Sequence, residues 1–150
     1  MIKRNEKGFT LVELLVVISI IGLLSTLAVV ALGSARERAR DAKRIADVKQ
    51  IQTALELFYN DNNAYPEEPT AITLGEGTDP VTLTSDGFIA GGSEVYMQTV
   101  PAPPYPDDED YSYISSDGTT YTITFKLEGP AAGFSDGATI EATPGGMTEQ

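Results

Sequence analysis

One carboxylate stands inside an otherwise apolar run. Glu13 lies five residues into the stretch Phe9 to Leu32, which holds no basic residue. A charge in hydrocarbon costs about 2.5–3.5 kcal/mol on insertion scales. Glu13 must therefore reach the headgroups, stay protonated or meet a cation from outside its own run. A second concentration of acids is Asp107-Asp108-Glu109-Asp110. Calcium takes six to eight oxygen ligands, so Asp107, Asp108 and Asp110 are candidate metal ligands, with Asp79, Asp117 and Asp136 as further donors. The run lacks the alternating spacing of an EF-hand loop, and a solvated acidic turn ahead of a strand is the commoner use of such a run. No other cofactor is expected.

Catalytic chemistry has little to work with. The chain has no histidine and no cysteine, which removes the commonest general base and the most nucleophilic side chain. Paired carboxylates can hydrolyse glycosides, but with 22 acids chance pairs are unavoidable. Tyr105, Tyr111, Tyr113 and Tyr121 could stack on a ligand, yet cross-strand packing is their commoner use. The chain reads as a non-enzyme, with no catalytic residue to assign.

Four zones position these residues. Residues 1–8 (MIKRNEKG) form a short basic leader. Residues 9–32 form an apolar segment of 24 residues, about 36 Å as a helix and enough to span a bilayer core of about 30 Å. That is longer than the apolar part of an ordinary signal peptide, although Ala31-Leu32-Gly33-Ser34-Ala35 resembles a signal cleavage site. Residues 33–62 continue the helix with one apolar face, Ala42, Ile45, Val48, Ile51, Leu55 and Phe58, at steps of three and four. Asn60-Asp61-Asn62-Asn63 before Tyr65-Pro66 is a stop signal. Gly22 and Gly33 mark either close helix packing or a place to bend.

Residues 63–150 form a small acidic β domain with long loops. Tyr111–Ser115 and Thr120–Leu127 are rich in strand formers, with a Ser116-Asp117-Gly118 turn between them. Tyr121, Ile123, Phe125 and Leu127 share one face, which should pack on Ile51, Leu55 and Phe58. A weaker strand is expected at Ala138–Ala142 and a short one at Ala71–Leu74. Ser93–Thr99 is helical turn or strand, and residues 63–92 otherwise read as loop. The fold class is α+β: one very long N-terminal helix packed by a small antiparallel sheet.

Charge is segregated. The net charge is −12, yet nine of the ten Lys and Arg lie at or before Lys49, and seventeen acids follow Gln50. An anionic distal domain repels nucleic acid. Arg36, Arg38, Arg40, Lys43, Arg44 and Lys49 outnumber the leader's Lys3, Arg4 and Lys7. A literal positive-inside count would thus place the distal domain in the cytoplasm.

The stretch Lys7-Gly8-Phe9-Thr10-Leu11-Val12-Glu13-Leu14 closely resembles the N-terminal signal of type IV prepilins and of the pseudopilins of type II secretion systems. The resemblance implies a pilin-like fold, cleavage between Gly8 and Phe9 by a membrane-embedded prepilin peptidase, and N-methylation of Phe9. It also implies subunit addition through Glu13. Cleavage would create a positive α-amine, reference pKa about 7.7–8.0, to pair with the Glu13 of a neighbouring copy. Leu55 to Pro66 and Tyr96 to Pro104 are similar to the helix end and pre-sheet stretch of major, G-type pseudopilins, which bind calcium in a sheet loop.

The expected function is therefore structural. The chain reads as a subunit of a homo-oligomeric helical filament, either the major pseudopilin of a type II secretion system or a type IV pilin. Its partners would be prepilin peptidase and an inner-membrane assembly platform. The family's topology overrides the charge count. It implies a single-pass inner-membrane protein with the C-terminal domain outside the cytoplasm, then a periplasmic or extracellular filament. The alternative is a single-span anchored ligand-binding domain that never polymerises.

Overall fold

The computed structural model describes residues 8–75, 82–89, 92–104 and 111–150. Helix α1 runs Leu11–Asn62 without interruption. It passes through both units into which the chain divides, residues 1–36 and 37–150. Eight strands follow: β1 Glu68–Leu74, β2 Thr82–Thr84, β3 Gly87–Ile89, β4 Val95–Met97, β5 Tyr111–Ser115, β6 Thr122–Lys126, β7 Thr139–Thr143 and β8 Gly146–Glu149. The α+β, pilin-like fold class is the one expected.

In the first unit the helix is apolar and exposed. No described residue before Arg36 is buried, and α1 is long and apolar enough to cross a membrane. Hydroxyls in such a segment need internal acceptors. Ser19 and Ser25 donate to the carbonyls of Leu15 and Ile21 at 2.8 and 2.7 Å, and Thr26 donates to that of Leu23 at 2.8 Å. Gly22 and Gly33 sit within α1 and neither unwinds it. A methyl group at either would meet nothing within 4 Å, so within this chain neither packs closely against anything.

In the second unit α1 buries Ile45, Val48, Ile51, Ala54, Leu55 and Phe58 against the sheets. The five-stranded antiparallel sheet has the order β1-β5-β6-β7-β8, and a three-stranded sheet has the order β3-β2-β4. Tyr121, Ile123, Phe125 and Leu127 join the helix stripe in one core, as their alternation implies. Tyr113 pairs with Ile123 across β5 and β6, and Phe125 with Ile140 across β6 and β7. Tyr65 packs edge-on to Tyr121, and Tyr113 stacks on Tyr121.

The helix stops where the Asn cluster stands. Asn63 adopts φ 55°, a left-handed cap that Asn tolerates. Its N–H donates to Tyr59 O at 2.8 Å, and Asn62 Nδ2 donates to Phe58 O at 2.9 Å. The chain then docks by Tyr65 N–H donating to Gly118 O at 2.7 Å.

Four expectations are corrected. The helix starts at Leu11 rather than Phe9. Its inner face includes Asp41 and Arg44, while Ala42 is exposed. The described residues of the span 63–92 are not mainly loop: β1 begins at Glu68, and β2 and β3 form a hairpin joined by Ser85-Asp86. The end of the chain supplies an extra strand, β8, turned back on β7 at Pro144-Gly145.

Candidate assembly site at the helix start

Gly8 and Phe9 precede the helix and are exposed, Phe9 at 90%. A Cβ at Gly8 would meet nothing within 4 Å, so the chain itself does not demand glycine there. Helix α1 then opens on a reciprocal cap. Thr10 N–H and Thr10 Oγ1 donate to Glu13 Oε2 at 2.8 and 2.7 Å, and Glu13 N–H donates to Thr10 Oγ1 at 3.2 Å. This is a capping box: the Ser/Thr cap and the Glu three residues on each satisfy a backbone donor of the other. The carboxylate also sits at the positive end of the helix dipole.

The box changes the reading of Glu13. The acid stranded among apolar residues is held from within its own first turn by two donors and the dipole. Among the described residues its second oxygen, Oε1, accepts nothing. One oxygen is engaged and the other is open to a cation from outside. Sequence reasoning missed Thr10 as a functional residue. The signal was present as Thr10-Leu11-Val12-Glu13, the T-x-x-E spacing that marks helix starts.

A second polar cluster ties the sheet to the helix. Asp41 is buried and accepts from three donors: Arg44 Nη1 at 2.8 Å, Glu128 N–H at 2.9 Å and Gly129 N–H at 2.9 Å. Glu128 accepts from Arg40 Nε at 2.6 Å, from Arg40 Nη2 and from Arg44 Nη1. Arg44, only 2% exposed, thus bridges two carboxylates. Arg40 first, with Arg44 behind it, holds the Glu128 carboxyl down at about 2. Asp47 responds in the opposite sense. Burial raises its pKa, against the Tyr111 hydroxyl that donates to it at 3.2 Å. A Cβ at Gly129 would crowd the Glu37 carboxylate, which would have to swing aside to admit it.

The candidate calcium ligands Asp107, Asp108 and Asp110 lie outside the described residues, as does Asp79. Asp117 is described and serves its own turn, its Oδ1 accepting from Thr119 N–H and Oγ1 at 3.0 and 2.7 Å. Among the described residues no three acids gather into a metal-holding group.

Comparison with known proteins decides the lineage. Residues 3–33 match the model of the prokaryotic N-terminal methylation motif. Type II secretion system core protein G of Aeromonas hydrophila is 42% identical over 103 residues, covering 69% of this chain and 70% of that protein. This chain belongs to the type IV prepilin and pseudopilin family. Core protein G of Vibrio cholerae extends the match along the family fold, 29% identical over 137 residues and 91% of each chain. The type IV wide pilus major component PilA4 of Thermus thermophilus is 40% identical over 82 residues, 54% of this chain and 63% of that one. No solved structure matches. As a family member the chain is a type IV pilin-like filament subunit rather than an enzyme. Its apolar helix and methylation motif fit a membrane-anchored pilin-like subunit.

Proposed function

We propose that this chain is the major pseudopilin of a type II secretion system, made as a precursor and cut between Gly8 and Phe9 by a prepilin peptidase. Phe9 then becomes the N-methylated mature terminus. The distal domain lies outside the cytoplasm, and an inner-membrane platform draws the helix into the filament. The observation that carries this reading is the stretch Lys7-Gly8-Phe9-Thr10-Leu11-Val12-Glu13, inside the span matched by the methylation motif.

The physical steps follow from the helix start. Gly8 has no side chain to obstruct an extended backbone in a protease cleft. Cleavage turns the peptide nitrogen of Phe9 into an ammonium at the head of α1. Thr10 holds one oxygen of Glu13, and the ammonium of an adjoining copy takes the other. Moving the apolar segment from lipid to a bundle of identical helices changes its hydrophobic environment little, so packing and polar pairing drive association. Each added subunit neutralises one buried carboxylate. Resemblance to several core G proteins favours the secretion filament. The identity to a wide-pilus major component supports a surface pilus as the second reading.

Replacing Gly8 by leucine tests the reading. In cells supplying the peptidase, the Gly8→Leu precursor should keep its full mass and yield no filaments, while the unaltered chain is trimmed and polymerises. Normal filaments from the uncut variant would refute it.

A further inference from the structure

The cations of α1 fall into two sets. Between residues 36 and 49 the helix carries six basic and three acidic side chains, a net of +3. Arg40 and Arg44 turn inward and are consumed by Asp41 and Glu128. Arg36, Arg38, Lys43 and Lys49 are exposed. Of these, Arg38 and Lys49 stand eleven residues apart, three turns of helix and so on nearly the same face, about 16 Å along the axis. Among the described residues no carboxylate lies within salt-bridge distance of either. Lys49 also lines an open groove of about 440 Å³ with Gln52, Tyr121 and Gly145. The one acid lining that groove, Glu56, is engaged by the Tyr65 hydroxyl at 2.9 Å.

The rest of the domain carries the opposite sign. After Gln50 the chain has seventeen acids and one lysine. Asp61, Glu67, Asp86, Glu94, Asp117, Asp136 and Glu149 are all exposed. Two such domains placed acid face to acid face repel. An arrangement that sets the basic helix edge of one copy against the acidic domain of the next brings opposite charges together. It joins two different patches, so it is heterologous, and a heterologous contact that does not close on itself propagates as a filament. Charge complementarity of this kind sets register and suppresses the wrong pairing more than it adds raw affinity.

We propose that the Arg38–Lys49 edge of α1 is a docking surface for the acidic domain of a second copy of this chain. It is an electrostatic register mark between successive subunits, separate from the Glu13 pairing at the helix start. The inference rests on the filament reading above.

The test uses the full processed chain. Filaments of the unaltered protein and of the double variant Arg38→Glu/Lys49→Glu are sheared, pelleted and quantified from low to high salt. Far-UV circular dichroism melts check that both exposed substitutions leave the fold intact. The expected result is a roughly tenfold loss of pelleted filament in the double variant at low salt. The unaltered filaments should also weaken as salt screens the attraction. Equal yields from both chains, or unaltered filaments that strengthen with salt, would overturn the inference and leave the filament reading standing. So would a variant that polymerises normally but loses binding to vesicles containing phosphatidylglycerol, because the edge would then serve lipid. Absence of filaments from the unaltered chain would overturn the filament reading itself, and this inference with it.

Discussion

Glu13 and Thr10 show how one hydroxyl changes the cost of an acid set in an apolar run. Without the Thr10 hydroxyl the carboxylate would keep the backbone N–H of residue 10 but lose its second donor at Oε2, and Glu13 N–H would lose its N-cap acceptor. Removing a Ser or Thr cap costs about 1 kcal/mol of helix stability. Thr10→Ala should therefore fray the helix start and lower filament yield several-fold, while Thr10→Ser, which keeps the hydroxyl, should restore it. Quantifying sheared filaments from the two variants checks this; equal yields from Thr10→Ala and the unaltered chain would remove Thr10 from assembly. Glu13→Gln keeps the shape and discards the charge. It should still be trimmed at Gly8 yet fail to polymerise, a split read by mass spectrometry of the cell-associated chain.

At the scale of elements, the Asp41–Arg44–Glu128 cluster ties the end of β6 to α1. The folded Glu128 carboxyl sits near 2, below its ordinary 4.5. A depressed acid stabilises the fold above its unfolded pKa and ceases to do so as pH falls through the folded one. Melting of the full chain in detergent should thus fall off between pH about 4.5 and about 2. Glu128→Gln should be less stable at neutral pH and flatter across that window. Arg44→Leu leaves Asp41 and Glu128 without their shared cation and should cost about 3–5 kcal/mol. A Tm unchanged by Arg44→Leu would deny the cluster its role.

Periodicity carries what was legible in these elements. The stripe Ile45, Val48, Ile51, Leu55 and Phe58 and the alternation Tyr121, Ile123, Phe125 and Leu127 each encode a buried face in a local repeat. The strands that escaped are short or lack that repeat. Thr82–Thr84 and Gly87–Ile89 are too brief to alternate, β8 holds Gly146 and one apolar residue, and β1 carries Pro69 at an edge with a register shift. Asp41 and Arg44 broke the stripe because their partner, Glu128, lies more than eighty residues away. Sequence spacing cannot reveal a buried charge paired at that distance. Glu13 is legible from its apolar surroundings, whereas its cap rests on a single hydroxyl three residues away, a weaker signal than the charge itself.

For the whole molecule, an exposed apolar helix and an anionic domain belong to one economy of charge. Among the described residues the helix segment before Arg36 has no buried side chain, an apolar surface suited to a membrane or to sister copies. The basic edge of α1 and the acids beyond Gln50 oppose each other in sign, which favours a repeating, directional contact over a symmetric pair. Protease added outside intact spheroplasts should digest the acidic domain; full protection would place that domain on the cytoplasmic side, where the count of Lys and Arg alone would put it. The most direct measurement is the intact mass of the chain recovered from sheared native filaments. The expected mass is that of residues 9–150 plus one methyl group. A mass that retains Met1, or a start far from Phe9, would contradict the mechanism at its root.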